Sequence, residues 1–175
     1  MTVLLVTGAQ ASGKSTVGRL VAGRAPRGVF LDGDTFWQAV VSGRADMTAD
    51  ATPEALEQLH LRYRALGGAA RVYAGAGFTT VVADNVYGDD LDVLRRAVAP
   101  LRLLTVALTP SPGTVADRER GRGAGAYAGW TEDLLGAVRT FDAWVRATPA
   151  DLFHDSTGET PEQTAAAVHA WLLTR

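Results

Sequence analysis

The chain has 175 residues, 47% of them hydrophobic and 21% charged, with a formal net charge of −2 and a pI near 5.9. That composition excludes a disordered chain, a collagen-like chain and a coiled-coil rod, and the near-neutral balance gives no global basic field for a nucleic-acid backbone. Cysteine is absent, which excludes a disulfide framework, a zinc-finger site and a thiol nucleophile.

Residues 3–7 form a short continuous apolar run that ends at Gly8, the pattern of a strand buried on both faces of a parallel sheet. Residues 14–24 follow with Val17, Leu20 and Val21 at helical spacing, and Pro26 stops the helix. A second strand is expected over 28–31. A short helix through 37–40 should follow, capped by Asp34 or Thr35. Thr52-Pro53-Glu54 opens a long helix that runs to about residue 73. Strands at 79–83 and 101–108 flank a helix at 91–98 that ends before Pro100. Thr131-Glu132-Asp133 starts a helix over 131–145, a weaker strand lies at 151–154, and Thr160-Pro161-Glu162 opens a last helix over 161–173. Strands alternating with helices predict one α/β domain over 1–175, with a five-stranded parallel sheet and helices on both faces. No apolar run reaches the ~18 residues of a spanning helix, and the start of the chain lacks the basic flank of a signal segment. The expectation is a cytoplasmic protein with no membrane or nucleic-acid partner, its oligomeric state left open.

Gly8-Ala9-Gln10-Ala11-Ser12-Gly13-Lys14-Ser15, followed by Thr16, fits G-x-x-x-x-G-K-[ST] between a strand and a helix. Glycines let backbone N–H groups curl around phosphate oxygens, and the following helix presents its unpaired N–H groups to the same anion. Lys14 brings a charge to the β- and γ-phosphates, and Ser15 brings a hydroxyl to Mg²⁺. Lys14 is the only lysine among 17 basic residues. Asn85 is the only asparagine, so no N-K-x-D guanine-reading motif exists, and ATP is the expected nucleotide. Asp155-Ser156-Thr157-Gly158 lies next to the last helix and reads as a turn or a loop beside the base.

Asp32-Gly33-Asp34 places two carboxylates just past the second strand, at the sheet end where open α/β folds bind ligands. Either could contact substrate, and Asp34 is the candidate to take the proton of an attacking hydroxyl, with helix capping as the competing role. Asp84, ending the strand Val81-Val82-Ala83, is the candidate second Mg²⁺ site and a substrate contact, with Asn85 and Tyr87 beside it; a strand-end turn is the alternative. Arg118, Arg120 and Arg122 precede a glycine-rich stretch, 121–129. They read as part of a mobile lid, about 118–130, whose planar guanidinium forks close on the transferring phosphate; a solvated helix end is the alternative. Tyr127 and Trp130 either cover a ligand or anchor that segment on the core. His60, His154 and His169 share no metal-ligand spacing and read as structural, as Trp37, Trp144 and Trp171 read as core.

The succession G-A-Q-A-S-G-K-S-T, L-D-G-D-T-F, V-V-A-D-N and R-E-R-G-R, closed by D-S-T-G-E-T-P-E-Q-T, resembles the small-molecule P-loop kinases: chloramphenicol phosphotransferase, gluconate kinase, shikimate kinase and adenylylsulfate kinase. The resemblance covers nearly the whole chain. It implies ATP–Mg²⁺-dependent phosphoryl transfer to the hydroxyl of a small acceptor, either a metabolite or an antibiotic. Asp34 would then be the general base, Gly8, Ala11, Ser12, Gly13, Lys14, Ser15 and Thr16 the nucleotide loop, and Arg118 and Arg122 the lid arginines. Residues 37–75 would cap the acceptor. A zeta-toxin-like kinase of nucleotides or nucleotide sugars is the second reading, with Arg44, Arg62, Arg64 and Arg71 available for acceptor phosphates. A non-catalytic ATP-binding regulator is the third.

Overall fold

In a computed structural model, which describes residues 1–123, 125–127, 130 and 133–175, five strands form one parallel sheet. In chain order the elements are β1 (Thr2–Gly8), α1 (Lys14–Ala22), β2 (Gly28–Asp32), α2 (Gly33–Gln38), α3 (Pro53–Gly75), β3 (Thr79–Ala83), α4 (Asp90–Val98), β4 (Arg102–Leu108), α5 (Pro112–Arg122), α6 (Leu134–Ala147), β5 (Leu152–His154) and α7 (Pro161–Leu172). The sheet order is β2-β3-β1-β4-β5, so β1 is central, paired through Leu5 to Val82 on one side and Thr105 on the other. The chain first winds to one side of β1 and then crosses to the other. The crevice at that reversal opens beyond the carboxyl ends of the strands, where the loop after β1 lies.

The apolar run of β1 serves both layers. Val3 and Leu5 pack with Tyr63, Leu66 and Ala70 of α3 and with Leu91 and Leu94 of α4. Leu4 and Val6 pack with Val17 and Val21 of α1 and with Ala165 and Val168 of α7. Successive side chains of a strand point to opposite faces, so a continuous apolar strand is what a sheet covered on both sides requires. A third cluster joins the loop after β1, through Ala9 and Ala11, to Val115 of α5 and Val138 and Phe141 of α6.

Three expected boundaries change. The short helix after β2 covers Gly33–Gln38, and its cap is Asp32, not Asp34 or Thr35: Asp32 Oδ1 accepts from Asp34 N at 3.1 Å. Asp34 thereby moves into the first turn. The arginine run forms the end of α5, the helix-end alternative to the lid, in a helix opened by Ser111, whose side chain accepts from Thr114 N, and by Pro112 at the first position. That is the same cap-then-proline start seen at Thr52-Pro53 and Thr160-Pro161. Helix α6 begins at Leu134. Thr131 and Glu132, where its start was expected, lie outside the described residues, as do Ala124, Ala128 and Gly129 of the expected lid.

Leu66 is fully buried in the seam between α3, α4 and the sheet. Leu66→Ala should cost ~2–5 kcal/mol of unfolding free energy through lost burial and a residual cavity. Urea titration of the two proteins measures it.

Candidate active site

The loop after β1 is fixed from several directions. Gly13 caps α1 with φ 98°, a backbone region that disfavours side chains, and Ala11 also takes a left-handed φ of 60°. Outside groups hold the loop carbonyls: Tyr87 Oη donates to Gly8 O at 3.1 Å, Tyr127 Oη to Gln10 O at 2.8 Å and Arg118 Nη1 to Ser12 O at 3.0 Å. With three carbonyls held by these donors and Ser12 N donating to Ala9 O at 3.1 Å, the loop has its other N–H groups available for an anion. Lys14 Nζ donates weakly to Ala9 O at 3.4 Å, a contact that a phosphate oxygen would replace. Burial depresses the Lys14 pKa, while the carboxylates of Asp84, Asp34 and Asp32 act in the opposite direction. The three carboxylates chosen from the sequence thus converge electrostatically on the one lysine.

Two cavities meet at this point. A cavity of about 630 Å³ is lined by the loop, including Ser12, Gly13, Lys14, Ser15 and Thr16, and by Arg118 and the 156–164 segment. A second, of about 1060 Å³, lies against α2, α3 and α6. Asp34 and Arg122 line both, and so does Gln10. Arg118 lines only the first, where its second nitrogen, Nη2, donates to Ser156 O at 3.4 Å; it clamps the phosphate loop to the turn after β5. Arg120 turns away and pairs with Asp117 at 2.8 Å on the surface.

Asp84 is buried and points across to α3. Its Oδ1 accepts from Arg62 Nη2 at 2.9 Å and from Asn85 N at 2.7 Å. Its Oδ2 lies against Gly33, where any Cβ would overlap it, and has no hydrogen-bond partner among the described residues. Burial raises the Asp84 pKa to about 6, against the opposing pull of Arg62. Asn85 borders the larger cavity and accepts from Tyr63 Oη through its backbone oxygen at 2.5 Å. The oxygen donors here, the Ser15 hydroxyl at the loop and the unpartnered Asp84 oxygen, are of the hard type that suits Mg²⁺.

The larger cavity is the part the sequence hid. Its lining includes a group of aromatic rings: Trp37 from α2, Tyr87 after β3, Trp130, and Phe141 and Trp144 of α6. Trp130 and Phe141 meet edge to face at 4.8 Å, and Phe141 and Trp144 lie 4.9 Å apart. Trp37 and Trp144 were expected in the core. Trp144 is instead 40% exposed, and Trp37 faces the cavity with the Arg44 guanidinium 3.9 Å from its ring centre. Trp171 does pack against the α1–α7 cluster. Tyr127 is an anchor, buried against Phe141, while Trp130 borders the cavity. The helical spacing of these tryptophans is the same for a wall as for a core, so periodicity alone does not separate them. His60 pairs with Asp90 and His154 with Glu159, each at 2.8 Å. Asp155 closes its turn by accepting from Thr157 N at 2.9 Å.

The sequence pattern of the chloramphenicol phosphotransferase-like protein family matches residues 1–172, and the chain belongs to that family. No curated protein matches it. Among solved structures it is similar to a sugar kinase from Janibacter sp. HTCC2649 (22% identity, 98% of this chain, 94% of that one, TM-score 0.69). It is also similar to shikimate kinase from Acinetobacter baumannii in complex with shikimate (19% identity, 99% and 93%, TM-score 0.68). A third is the APS kinase from Mycobacterium tuberculosis in complex with AMPPNP and APS (20% identity, 98% and 97%, TM-score 0.69). At these identities the likeness establishes the fold, a five-stranded parallel α/β architecture of the P-loop kinase type.

The Asp84 carboxyl sets a pH dependence. It holds its proton to about pH 6 in the folded chain and to 3.8 ordinarily, so the folded state binds the proton more tightly. Its contribution to stability should therefore be largest below that window and fall as pH rises through it, then level off. The difference in urea midpoint between the parent and Asp84→Asn, followed across those pH values, should show this slope. Arg62→Leu, which strands the carboxylate, should cost ~3–5 kcal/mol above the window.

Proposed function

We propose that the chain is an ATP–Mg²⁺-dependent phosphotransferase that moves the γ-phosphate to a hydroxyl of a small, bulky, largely apolar acceptor. The observation that carries this reading is the position of Asp34, which borders both the phosphate-loop cavity and the aromatic one. A nucleotide in the first and an alcohol in the second would meet beside that carboxylate. In the transfer, the acceptor oxygen forms a bond to the γ-phosphorus as the bond to the ADP oxygen breaks, and Asp34 takes the hydroxyl proton. Lys14 holds the β- and γ-phosphates. Arg122, which reaches both cavities, neutralises the charge on the transferring group, and Arg118 keeps the loop in place through its carbonyls. Ser15 and Asp84 would hold Mg²⁺, which supplies positive charge to the phosphate oxygens when bound.

The cavity's chemistry favours a neutral acceptor over a phosphorylated one. Of the arginines available to an acceptor phosphate, Arg62 is committed to Asp84, and Arg44 is stacked on Trp37 and paired with Asp46. Arg71 donates to Ala99 O, and neither it nor Arg64 borders the larger cavity. The aromatic walls supply area for a ring or an alkyl body instead. This supports the small-molecule reading, with an antibiotic-like alcohol as the type of acceptor, over a kinase of nucleotides or nucleotide sugars. The expected location is the cytoplasm, where ATP is available.

The test is ADP release with ATP–Mg²⁺, with and without a panel of hydroxylated aromatic compounds and sugar phosphates. Acceptor-dependent release with the former supports the proposal; tight ATP binding with no release from any acceptor supports the regulator reading. Lys14→Ala should lower ATP affinity or turnover at least ~10-fold, a loss of ~1.4 kcal/mol or more. Asp34→Asn should retain ATP binding and lose ~10²–10⁴-fold in transfer, the usual worth of general-base catalysis. Transfer within a few-fold of the parent would reduce Asp34 to a bystander.

A further inference from the structure

Part of the larger cavity is walled by chain that belongs to no helix or strand. The connection from α2 to α3 runs past Asp34, and within it Ala45, Met47, Thr48 and Ala51 are half-buried and line the cavity. Val41, in the same connection, is 94% exposed. Among the described residues, no backbone hydrogen bond joins 41–51 to a strand or a helix. A wall of irregular backbone with so few ties needs something else to hold it in place.

One side chain does so. Gln58, in the second turn of α3, accepts from Ala45 N through Oε1 at 2.9 Å and donates from Nε2 to Gly43 O at 2.8 Å. The other Nε2 hydrogen goes to Glu54 Oε1 at 2.7 Å, one turn back on the same helix, so the amide's orientation is set. The carboxamide pairs with the segment as a neighbouring strand would. Gly43 takes a φ of 71°, in the backbone region that favours glycine, where the chain turns to bring its carbonyl to Gln58. Among the described residues, these are the only hydrogen bonds from 41–51 to another element. The one other tie is Arg44, stacked on Trp37 of α2 and paired with Asp46 at 3.2 Å. The bonds of Nε2 are exposed and compete with water, so their net worth is modest and the segment can be released as well as held.

We propose that Gln58 is a positioning residue of the acceptor site, the latch that holds residues 41–51 as a wall against the acceptor. This inference rests on the reading of the larger cavity as the acceptor site. Gln58 borders that cavity, but both hydrogens of its amide are engaged, so it acts through the segment and not on the acceptor itself. It does not border the smaller cavity, so its loss should leave the nucleotide side as it is. With the segment held, Met47 and its neighbours pack on the acceptor and keep water from the Asp34 carboxylate; with the segment released, the cavity is open for entry and exit. No step of phosphoryl transfer uses Gln58, so its contribution is to binding, equal in the ground state and the transition state.

The test is residue-resolved hydrogen exchange of the parent and Gln58→Leu, a change that keeps helix propensity but makes no hydrogen bond, with thermal melting to confirm folding. In the parent the Ala45 amide should exchange more slowly than the amides of 46–49. In Gln58→Leu it should exchange at least ~10-fold faster, the worth of one or two hydrogen bonds. Met47, one of two methionines in the chain, should also be oxidised faster by hydrogen peroxide. With ATP–Mg²⁺ and 2-phenylethanol as the acceptor probe, the KM for the alcohol should rise ~10-fold, while kcat and the KM for ATP stay within ~2-fold of the parent. Equal exchange at Ala45 and at 46–49 in the parent overturns the latch, and does so even if the variant fails to fold. Unchanged exchange at Ala45 in folded Gln58→Leu overturns it as well. A KM for ATP that rises as much as that for the alcohol makes Gln58 a general structural residue and overturns its assignment to the acceptor side. A parent that releases no ADP with 2-phenylethanol or any other hydroxylated aromatic compound overturns the acceptor reading of the cavity, while exchange at Ala45 still decides whether the segment is latched.

Discussion

The ion pair between Arg62 and Asp84 ties the two halves of the site together. Asp84 directly follows β3, one residue before Asn85 and next to the Asp32-Gly33-Asp34 turn; Arg62 comes from α3, which walls the larger cavity. With Asp84 at 2% side-chain exposure and Arg62 at 14%, neither charge has much water to fall back on. Removing one partner of such a pair strands the other, so the register of α3 on the sheet is set by charge as well as by the packing of Tyr63 and Leu66. Gly33 completes the arrangement, because only a residue without a Cβ leaves room for the Asp84 carboxylate behind the turn that carries Asp34. The position of the proposed base therefore depends on a glycine, a buried carboxylate and an arginine from a helix far along the chain.

The phosphate loop shows the same logic at shorter range. A loop that is to present N–H groups inward must dispose of its carbonyls outward, and here Tyr87, Tyr127 and Arg118 take three of them. These donors come from three separate segments, after β3, after α5 and from α5 itself. Glu119, buried beside them, accepts from Ala126 N at 2.6 Å and so fixes the chain just before Tyr127. The loop is preorganised by parts of the fold that touch no phosphate.

Much of this was legible in the sequence, for identifiable reasons. Continuous apolar runs between helical stretches gave the five strands and their parallel arrangement, because a strand covered on both faces cannot alternate. The loop after β1 was legible because G-x-x-x-x-G-K-[ST] is a pattern of fixed spacing between a strand and a helix. What was not legible depends on contacts between distant segments. Asp32 and Asp34 are equivalent as letters; only the start of α2 makes one the cap and leaves the other at the meeting of two cavities. Arg118 and Arg122 lie one helical turn apart, and only the course of α5 sends one to the loop carbonyl and the other to the cavity border. Trp37 and Trp144 carry the helical spacing of core residues, and it is the gap between α2 and α6, set by neither alone, that turns them into walls.

The chain's basic residues are all arginine except Lys14. The one primary amine on a side chain therefore lines the smaller cavity, where burial lowers its affinity for a proton and so raises the fraction that is nucleophilic. An acylating or carbamylating reagent has no other side-chain amine to attack, and outside the site only the amino terminus competes. The protein thus has one side-chain position for such a label. Its rate of modification, read as the mass increment on the peptide that carries Lys14, apart from the one that carries the exposed amino terminus, becomes a gauge of whether that cavity is occupied, with no need to know which reaction the occupant undergoes.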